Sequence, residues 1–285
     1  MPILPTLVTL GNAFCGFASI SYVMRAQAAA YPEGYGRNLV MAGWLIMLAM
    51  VFDALDGKVA RLANQTSEFG IQLDSLSDAI SFGVAPALMV KTIAKQQQFL
   101  ERVGWVTGAM FMFCAILRLA RFNVDTSQEE ESHQYFQGLP SPAAGGFIAS
   151  LAVLTYSLRT EAEYKGLASV LEPTMDGLLF SVPVLAAALA LLMISNVRYP
   201  HPVSRIMRGQ EPFDYLVTVI LLALFAVLTR PFSLPILFGG YVLAGVVIQI
   251  KSTIMERVER RRGKDEEESK PSPHHSQGPP SDPQP

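Results

Sequence analysis

The chain has 285 residues and is short of charge. Asp, Glu, Lys and Arg together make up 16% of it, against 51% hydrophobic types, whereas a soluble domain carries about 25% charged residues. So apolar a chain is not a disordered protein, and a soluble enzyme is a poor fit. Neither sign of charge is in excess, with 22 Lys and Arg against 24 Asp and Glu. That balance leaves no basic face for nucleic acid, so no nucleic-acid partner is expected. Cysteine is nearly absent. Cys15 and Cys114 both lie in apolar runs, which excludes a disulfide framework or a cysteine-rich zinc site and predicts buried free thiols. Of the four histidines, His274 and His275 fall in a Pro/Ser-rich tail and read as a solvated pair. No Lys or Arg precedes Arg25, so residues 2–8 lack the basic region of a signal peptide and are expected to be retained as helix. Sustained strand alternation is missing throughout.

What is present is a succession of long apolar runs. Eight segments, at about 5–24, 39–62, 70–94, 103–123, 141–158, 177–195, 214–230 and 233–251, have the 17–25 residues that a bilayer crossing requires. Polar or Pro/Gly-marked joints separate them, at 31–37, 125–137, 161–172 and 196–212. The expected fold class is all-α, a polytopic transmembrane helical bundle of about eight spans. With the N-terminus inside, 14 of the 22 basic residues fall on the cytoplasmic side, so both termini are expected in the cytoplasm. From Arg257 onward the composition turns polar, with many Pro and Ser, and predicts a disordered cytoplasmic tail. The expected organisation is a core over 1–195, two further spans over 196–256 and the tail over 257–285.

Spans two and three break the apolar rule. Asp53, Asp56, Lys58, Arg61, Glu68, Asp74 and Asp78 all lie within Phe52–Ser81. Each charge at mid-bilayer costs roughly 2.5–3.5 kcal/mol, so four lipid-facing aspartates would cost on the order of 10 kcal/mol. They must face a polar cavity, lie near the interface or pair with cations. Asp53 and Asp56 are i,i+3, and Asp74 and Asp78 are i,i+4, so each pair forms a stripe on its helix. Asn64, Gln65, Thr66 and Ser67 supply a turn between them. Two antiparallel helices joined there bring four carboxylates to one volume. Such a group needs cations between its members. Oxygen ligands without nearby His or Cys favour Mg²⁺ or Mn²⁺ over Zn²⁺, and shared carboxylates suit two ions. Gly57, Ala60 and Gly70 let a metal-bound diphosphate approach the backbone, and Arg61 offers a phosphate fork.

The run Asp53-x-x-Asp56-Gly57-x-x-Ala60-Arg61-x8-Gly70-x-x-x-Asp74-x-x-x-Asp78 resembles the signature of the CDP-alcohol phosphatidyltransferases at all eight fixed positions. The resemblance implies a six-helix catalytic core that transfers a substituted phosphate from a CDP-linked donor to an alcohol and releases CMP. It implies that Asp53, Asp56, Asp74 and Asp78 hold two divalent cations. Gly57, Ala60, Arg61 and Gly70 would cradle the cytidine diphosphate, and Asp78 would act as general base. A homodimer in the cell (inner) membrane, with its active site facing the cytoplasm, is also implied.

Three flanking runs resemble the membrane-embedded phosphatidylserine synthase branch of that family. They are Leu4-Pro5-Thr6-Leu7-Val8-Thr9-Leu10-Gly11-Asn12, Leu117-Arg118-Leu119-Ala120-Arg121-Phe122-Asn123, and Phe136-Gln137-Gly138-Leu139-Pro140-Ser141-Pro142-Ala143-Ala144. This likeness implies CDP-diacylglycerol and L-serine as substrates among membrane lipids. Arg118 and Arg121, i,i+3 at the inner surface, could hold a lipid phosphate or the acceptor's carboxylate, or could simply anchor the span. Thr9 and Asn12 could contact the nucleotide or bond another helix. Two alternatives stay open: another family activity such as phosphatidylglycerophosphate synthesis, and an ion-coupled transporter with an intramembrane acidic site.

Overall fold

In the computed structural model the described residues are 3–62, 67–96, 100–126, 135–160, 165–200 and 232–268. Among them the chain is helical apart from one short ribbon. The helices are α1 (Ile3–Ala28), α2 (Pro32–Leu62), α3 (Glu68–Asp78), α4 (Ala85–Lys95), α5 (Glu101–Thr126), α6 (Ser141–Thr160), α7 (Lys165–Ile194) and α8 (Ser233–Glu268). A π-helical turn, Ala79–Val84, joins α3 to α4, and the strands are β1 (Tyr135–Gln137) and β2 (Arg198–Pro200). Seven helical stretches are long and apolar enough to cross a membrane. They match seven of the eight expected spans. The other, at 214–230, lies outside the described residues.

The helices are apolar outside and more polar within, as lipid solvent demands. Thr9, Asn12, Cys15, Ser19, Val23 and Ala26 form the buried stripe of α1, while Leu7, Leu10, Phe14, Phe17 and Met24 are exposed. On α2, Leu39, Ala42, Ile46 and Ala49 are buried, and Met41, Trp44, Leu48 and Val51 point outward. Ala144, Ile148, Ala149 and Ala152 of the enclosed helix α6 also join the core. Small side chains at these contacts bring backbones close enough for dispersion to hold the bundle without a hydrophobic drive between helices. Hydrogen bonds reinforce the packing: Ser19 Oγ donates to the Ala42 carbonyl at 2.9 Å, and Tyr35 Oη donates to the Thr92 carbonyl at 2.8 Å.

Helices start earlier than hydropathy alone predicts. Joints expected at 31–37 and 161–172 are partly helical, since α2 begins at Pro32 and α7 at Lys165. For α2 the reason is local: proline is preorganised for a first turn, and Glu33 there complements the helix dipole. At the other end, α8 runs to Glu268, past Arg257, where composition predicts disorder. Glu256 and Arg260 are i,i+4 in a stretch rich in Arg, Glu and Lys, all good helix formers. Residues 269–285 lie outside the described residues.

The ribbon closes one end of the core. Tyr135, Phe136 and Gln137 pair antiparallel with Pro200, Tyr199 and Arg198. Gly138 follows with φ of 80°, a left-handed conformation that favours glycine. Its N–H donates to the Val197 carbonyl at 2.8 Å, and the Leu139 N–H donates to the Leu192 carbonyl at 3.0 Å. The Gly-Leu-Pro-Ser run therefore stitches the start of α6 to the end of α7. The chain divides into two units, Met1–Val246 and Val247–Pro285. All the candidate site residues belong to the first.

Candidate metal centre

The inward stripe of α2 does not stop at Ala49. Continuing it at the same helical interval places Asp53 and then Asp56 on the packed face, with Asp56 buried. The opposing helix begins at a cap: Ser67 Oγ accepts from the Gly70 N–H at 3.1 Å, which fixes the first turn of α3. One turn on comes Asp74, and after it the buried Asp78. Ser75 and Asn123 bond side chain to side chain at 2.9 Å, pinning α3 to α5.

Asp53, Asp56 and Asp74 each bring a carboxylate oxygen to within 4.8 Å of the others. Asp78 lies beside this triad, within Coulombic reach of all three. Its Oδ1 accepts from Asn12 Nδ2 at 2.9 Å, a bond between residues 66 apart in sequence. Of the four expected carboxylates, three thus come within 4.8 Å of one another, and the fourth, beside them, is bonded by α1. Asp74 Oδ1 is buried and has no hydrogen-bond partner among the described residues. Three acidic groups this close repel unless a cation lies between them, and a buried oxygen lacking a donor is what a cation would satisfy. The donor set is oxygen only, so it fits a hard divalent ion.

The π-helical turn starts immediately after Asp78. A π turn widens the helix and frees a backbone carbonyl from its usual partner, and such turns recur at functional sites. Here it is clasped by α1, because Ser81 Oγ donates to the Asn12 carbonyl at 2.9 Å. A side chain at Gly16 would run into Ser81, so α1 reaches this turn only with glycine there. Asn12 therefore contacts α3 through its amide and the π turn through its backbone. Of the two sequence readings for Asn12, the helix-to-helix bond is the one present, and it ends on an aspartate of the site. Thr9 Oγ1 instead donates to the Pro5 carbonyl of its own helix at 3.1 Å.

Gly57, Ala60 and Arg61 fall on the last turns of α2, and their side chains lie outside the described residues. Gly70 lies near the start of α3, with its N–H engaged by Ser67. Arg118 and Arg121 differ in burial. Arg118 is buried and continues the inward stripe of Phe111, Cys114 and Ala115, and its Nη1 donates to Ser141 Oγ at 3.1 Å. Arg121 is exposed, and its Nη1 donates to Asn196 Oδ1 at 3.2 Å.

A family model described as CDP-alcohol phosphatidyltransferase matches residues 2–193. The chain belongs to that family. Curated relatives sharpen the comparison. The CDP-diacylglycerol–serine O-phosphatidyltransferase of Helicobacter pylori is 35% identical over 244 residues, spanning 85% of this chain and 89% of the relative. The enzyme of the same name from Saccharomyces cerevisiae is 39% identical over 150 residues, 51% of each chain. The archaetidylserine synthase of Methanothermobacter thermautotrophicus is 33% identical over 199 residues, 69% of each. In this phosphatidyltransferase the eight signature positions bracket the carboxylate triad.

Several features of the site had no signature in the sequence. The Asn12–Asp78 bond joins two helices distant in the chain, and only the i,i+3 spacing of Thr9 and Asn12 hinted at a polar face. The π turn leaves no compositional mark. Tyr199 and Tyr241, whose ring centroids lie 5.7 Å apart between the ribbon and α8, carry no periodic or motif signal at all.

Proposed function

We propose that this protein transfers the phosphatidyl group of CDP-diacylglycerol to the hydroxyl of L-serine, giving phosphatidylserine and CMP. The observation that carries this reading is the carboxylate triad inside a chain 35% identical, across 85% of its own length and 89% of the relative's, to a protein named for that reaction. The catalytic core is taken as residues 1–195, embedded in the cell (inner) membrane with the site and both termini facing the cytoplasm. The family resemblance implies a homodimer.

Asp53, Asp56 and Asp74, with Asp78 beside them, would hold two divalent cations, Mg²⁺ or Mn²⁺. Bound there, the ions supply Lewis-acid neutralisation of the donor's diphosphate. The protein's own residues do the rest. Gly57, Ala60 and Gly70 present little bulk to the nucleotide diphosphate, and Arg61 offers it a guanidinium. Arg118 offers a buried positive charge to the acceptor's carboxylate or to the lipid phosphate, with Arg121 contributing at the rim. Asp78 accepts the proton of the serine hydroxyl, and Asn12 holds one of its oxygens so that the other faces that proton. The serine oxygen forms a new P–O bond to the phosphatidyl phosphorus, and the diphosphate bridge breaks on the far side to release CMP.

Purified protein should release CMP from CDP-diacylglycerol when given L-serine and Mn²⁺ or Mg²⁺. Release with glycerol 3-phosphate but not with serine would overturn the acceptor and keep the family. Ion binding without any nucleotide cleavage would favour the transporter alternative.

A further inference from the structure

Close approaches along α5 fix its register against α3, the π turn and α4. Ser75 and Asn123 bond at 2.9 Å. A side chain at Gly83 would lie 3.5 Å from Ala115 Cβ, and one at Gly104 would overlap Ala94 Cβ. The pairs Ser75–Asn123, Gly83–Ala115 and Ala94–Gly104 advance on one side as they recede on the other, as antiparallel helices do. Between the first two pairs, this register sets Arg118 opposite the start of the π turn, just after Asp78. Helix α6 reaches the same turn, because a side chain at Gly145 would lie 3.2 Å from the Phe82 carbonyl oxygen. Gly145 stands one turn beyond Ser141, the first residue of α6. Ser141 Oγ in turn accepts from Arg118 Nη1 at 3.1 Å. Arg118 and the start of α6 thus meet beside the turn that follows Asp78.

That junction is rich in donors. Arg118 is only 9% exposed, and its Nε is buried with no hydrogen-bond partner among the described residues. Ser141 is fully buried, and a hydroxyl that accepts from a guanidinium keeps its own proton to donate. The first N–H groups of a helix have no carbonyl within it. In α6 the Ala144 N–H donates to the Pro140 carbonyl at 3.0 Å, and Pro142 carries no N–H. The N–H groups of Ser141 and Ala143 therefore stand at the positive end of a 20-residue helix, where an anion is favoured. Buried donors are almost always satisfied in the working state. A guanidinium edge, a hydroxyl and helix amides together suit a small anion with several acceptor lone pairs.

We propose that Ser141 and the first-turn amides of α6 form, with Arg118, the subsite for the acceptor's carboxylate. The inference rests on the reading of the protein as a serine-accepting phosphatidyltransferase and deepens it. On that reading the donor's diphosphate lies at the carboxylate triad, so an anion site on the α5–α6 side of Asp78 is left for the acceptor. Serine suits it, because its carboxylate is carried by the carbon next to the one bearing the hydroxyl. A molecule whose hydroxyl meets Asp78 brings its carboxylate close by. Ser141 holds the Arg118 fork in place and donates its own proton to the anion. It touches no reacting atom, so it sets acceptor affinity and takes no part in proton transfer.

The test uses full-length protein in detergent micelles, with L-serine and L-serinamide as acceptors. Serinamide keeps the hydroxyl and the amino group and replaces the carboxylate by a neutral amide. Wild type should favour serine in kcat/KM by about tenfold or more, the effect of a hydrogen bond to a charged group. Ser141→Ala should raise the serine KM by about tenfold and change the serinamide KM by less than about twofold. The KM for CDP-diacylglycerol should stay unchanged. A merely structural role for Ser141 would raise both acceptors' KM values alike, and that result would overturn the proposal. A raised KM for CDP-diacylglycerol with an unchanged serine KM would give the site to the lipid phosphate and overturn it too. The wild-type arm stands even if the variant fails to fold, since equal use of serine and serinamide removes the subsite while sparing the transfer reaction. If the wild type releases no CMP with serine, the functional reading itself falls, and this inference with it.

Discussion

Asn12 of α1 donates to Asp78 across 66 residues of chain, at 2.9 Å. It is a contact between a helix with no acidic residue and the last carboxylate of the signature. A neutral donor placed there favours one rotamer of the aspartate without quenching its charge. Hydrogen bonds to charged groups contribute about 1.5–3 kcal/mol, enough to hold a side chain in one orientation.

Removing that donor should therefore impair turnover more than binding. Asn12→Ala is expected to lower kcat by about 10–100-fold, the range typical of a group that orients a functional carboxylate. Affinity for CDP-diacylglycerol should be largely kept. Steady-state CMP release, with lipid and serine varied separately, checks the split.

Asp78→Asn tests the base itself. The amide keeps the size and can still face Asn12, but it cannot take up a proton. Turnover should fall by about 10²–10⁴-fold, with the protein folded and the nucleotide still bound. Calorimetric titration with a cytidine diphosphate, beside the CMP-release assay, separates this outcome from misfolding.

The triad predicts a metal requirement that is reversible and graded. Chelation should abolish CMP release, and added Mn²⁺ or Mg²⁺ should restore it. Asp53→Asn, Asp56→Asn and Asp74→Asn each remove one of three oxygens within 4.8 Å of one another. Each should weaken Mn²⁺ binding by more than the roughly 10–100-fold lost with an orienting partner. Paramagnetic resonance of free Mn²⁺ gives that affinity without relying on activity.

Gly138→Ala should destabilise the core. The backbone there has φ of 80°, which costs an L-residue about 1–2 kcal/mol, and the added methyl would run into the Met193 carbonyl. A melting temperature lowered by several degrees, measured by tryptophan fluorescence in detergent, is the expected outcome. An alanine at Gly177, which meets no atom within 4 Å, should leave it nearly unchanged.

Much of the membrane architecture was legible because hydropathy is a local property. The spans expected at 103–123, 141–158 and 233–251 correspond to stretches found at Glu101–Val124, Ser141–Arg159 and Ser233–Lys251. Their boundaries erred where a helix begins in polar sequence, as at Pro32, because caps and proline extend a helix beyond its apolar part. The aspartate stripes were legible for the same reason: an i,i+3 or i,i+4 interval on a helix is a direction. Arg118 and Arg121 show the limit of that logic. Their interval predicted a shared face, and the packing of α5 buried the first and exposed the second.

Sequence by itself determined that this chain is a helical membrane protein with a carboxylate cluster in spans two and three, and it carried the family signature. Those properties depend on composition and on spacing along single helices. Tertiary structure decided which carboxylates meet, that Asn12 bonds Asp78, and that Tyr199 of the ribbon meets Tyr241 of α8. Each of these joins residues from separate helices. Which side chains meet there depends on how small residues let backbones approach, and no periodicity within one segment encodes that.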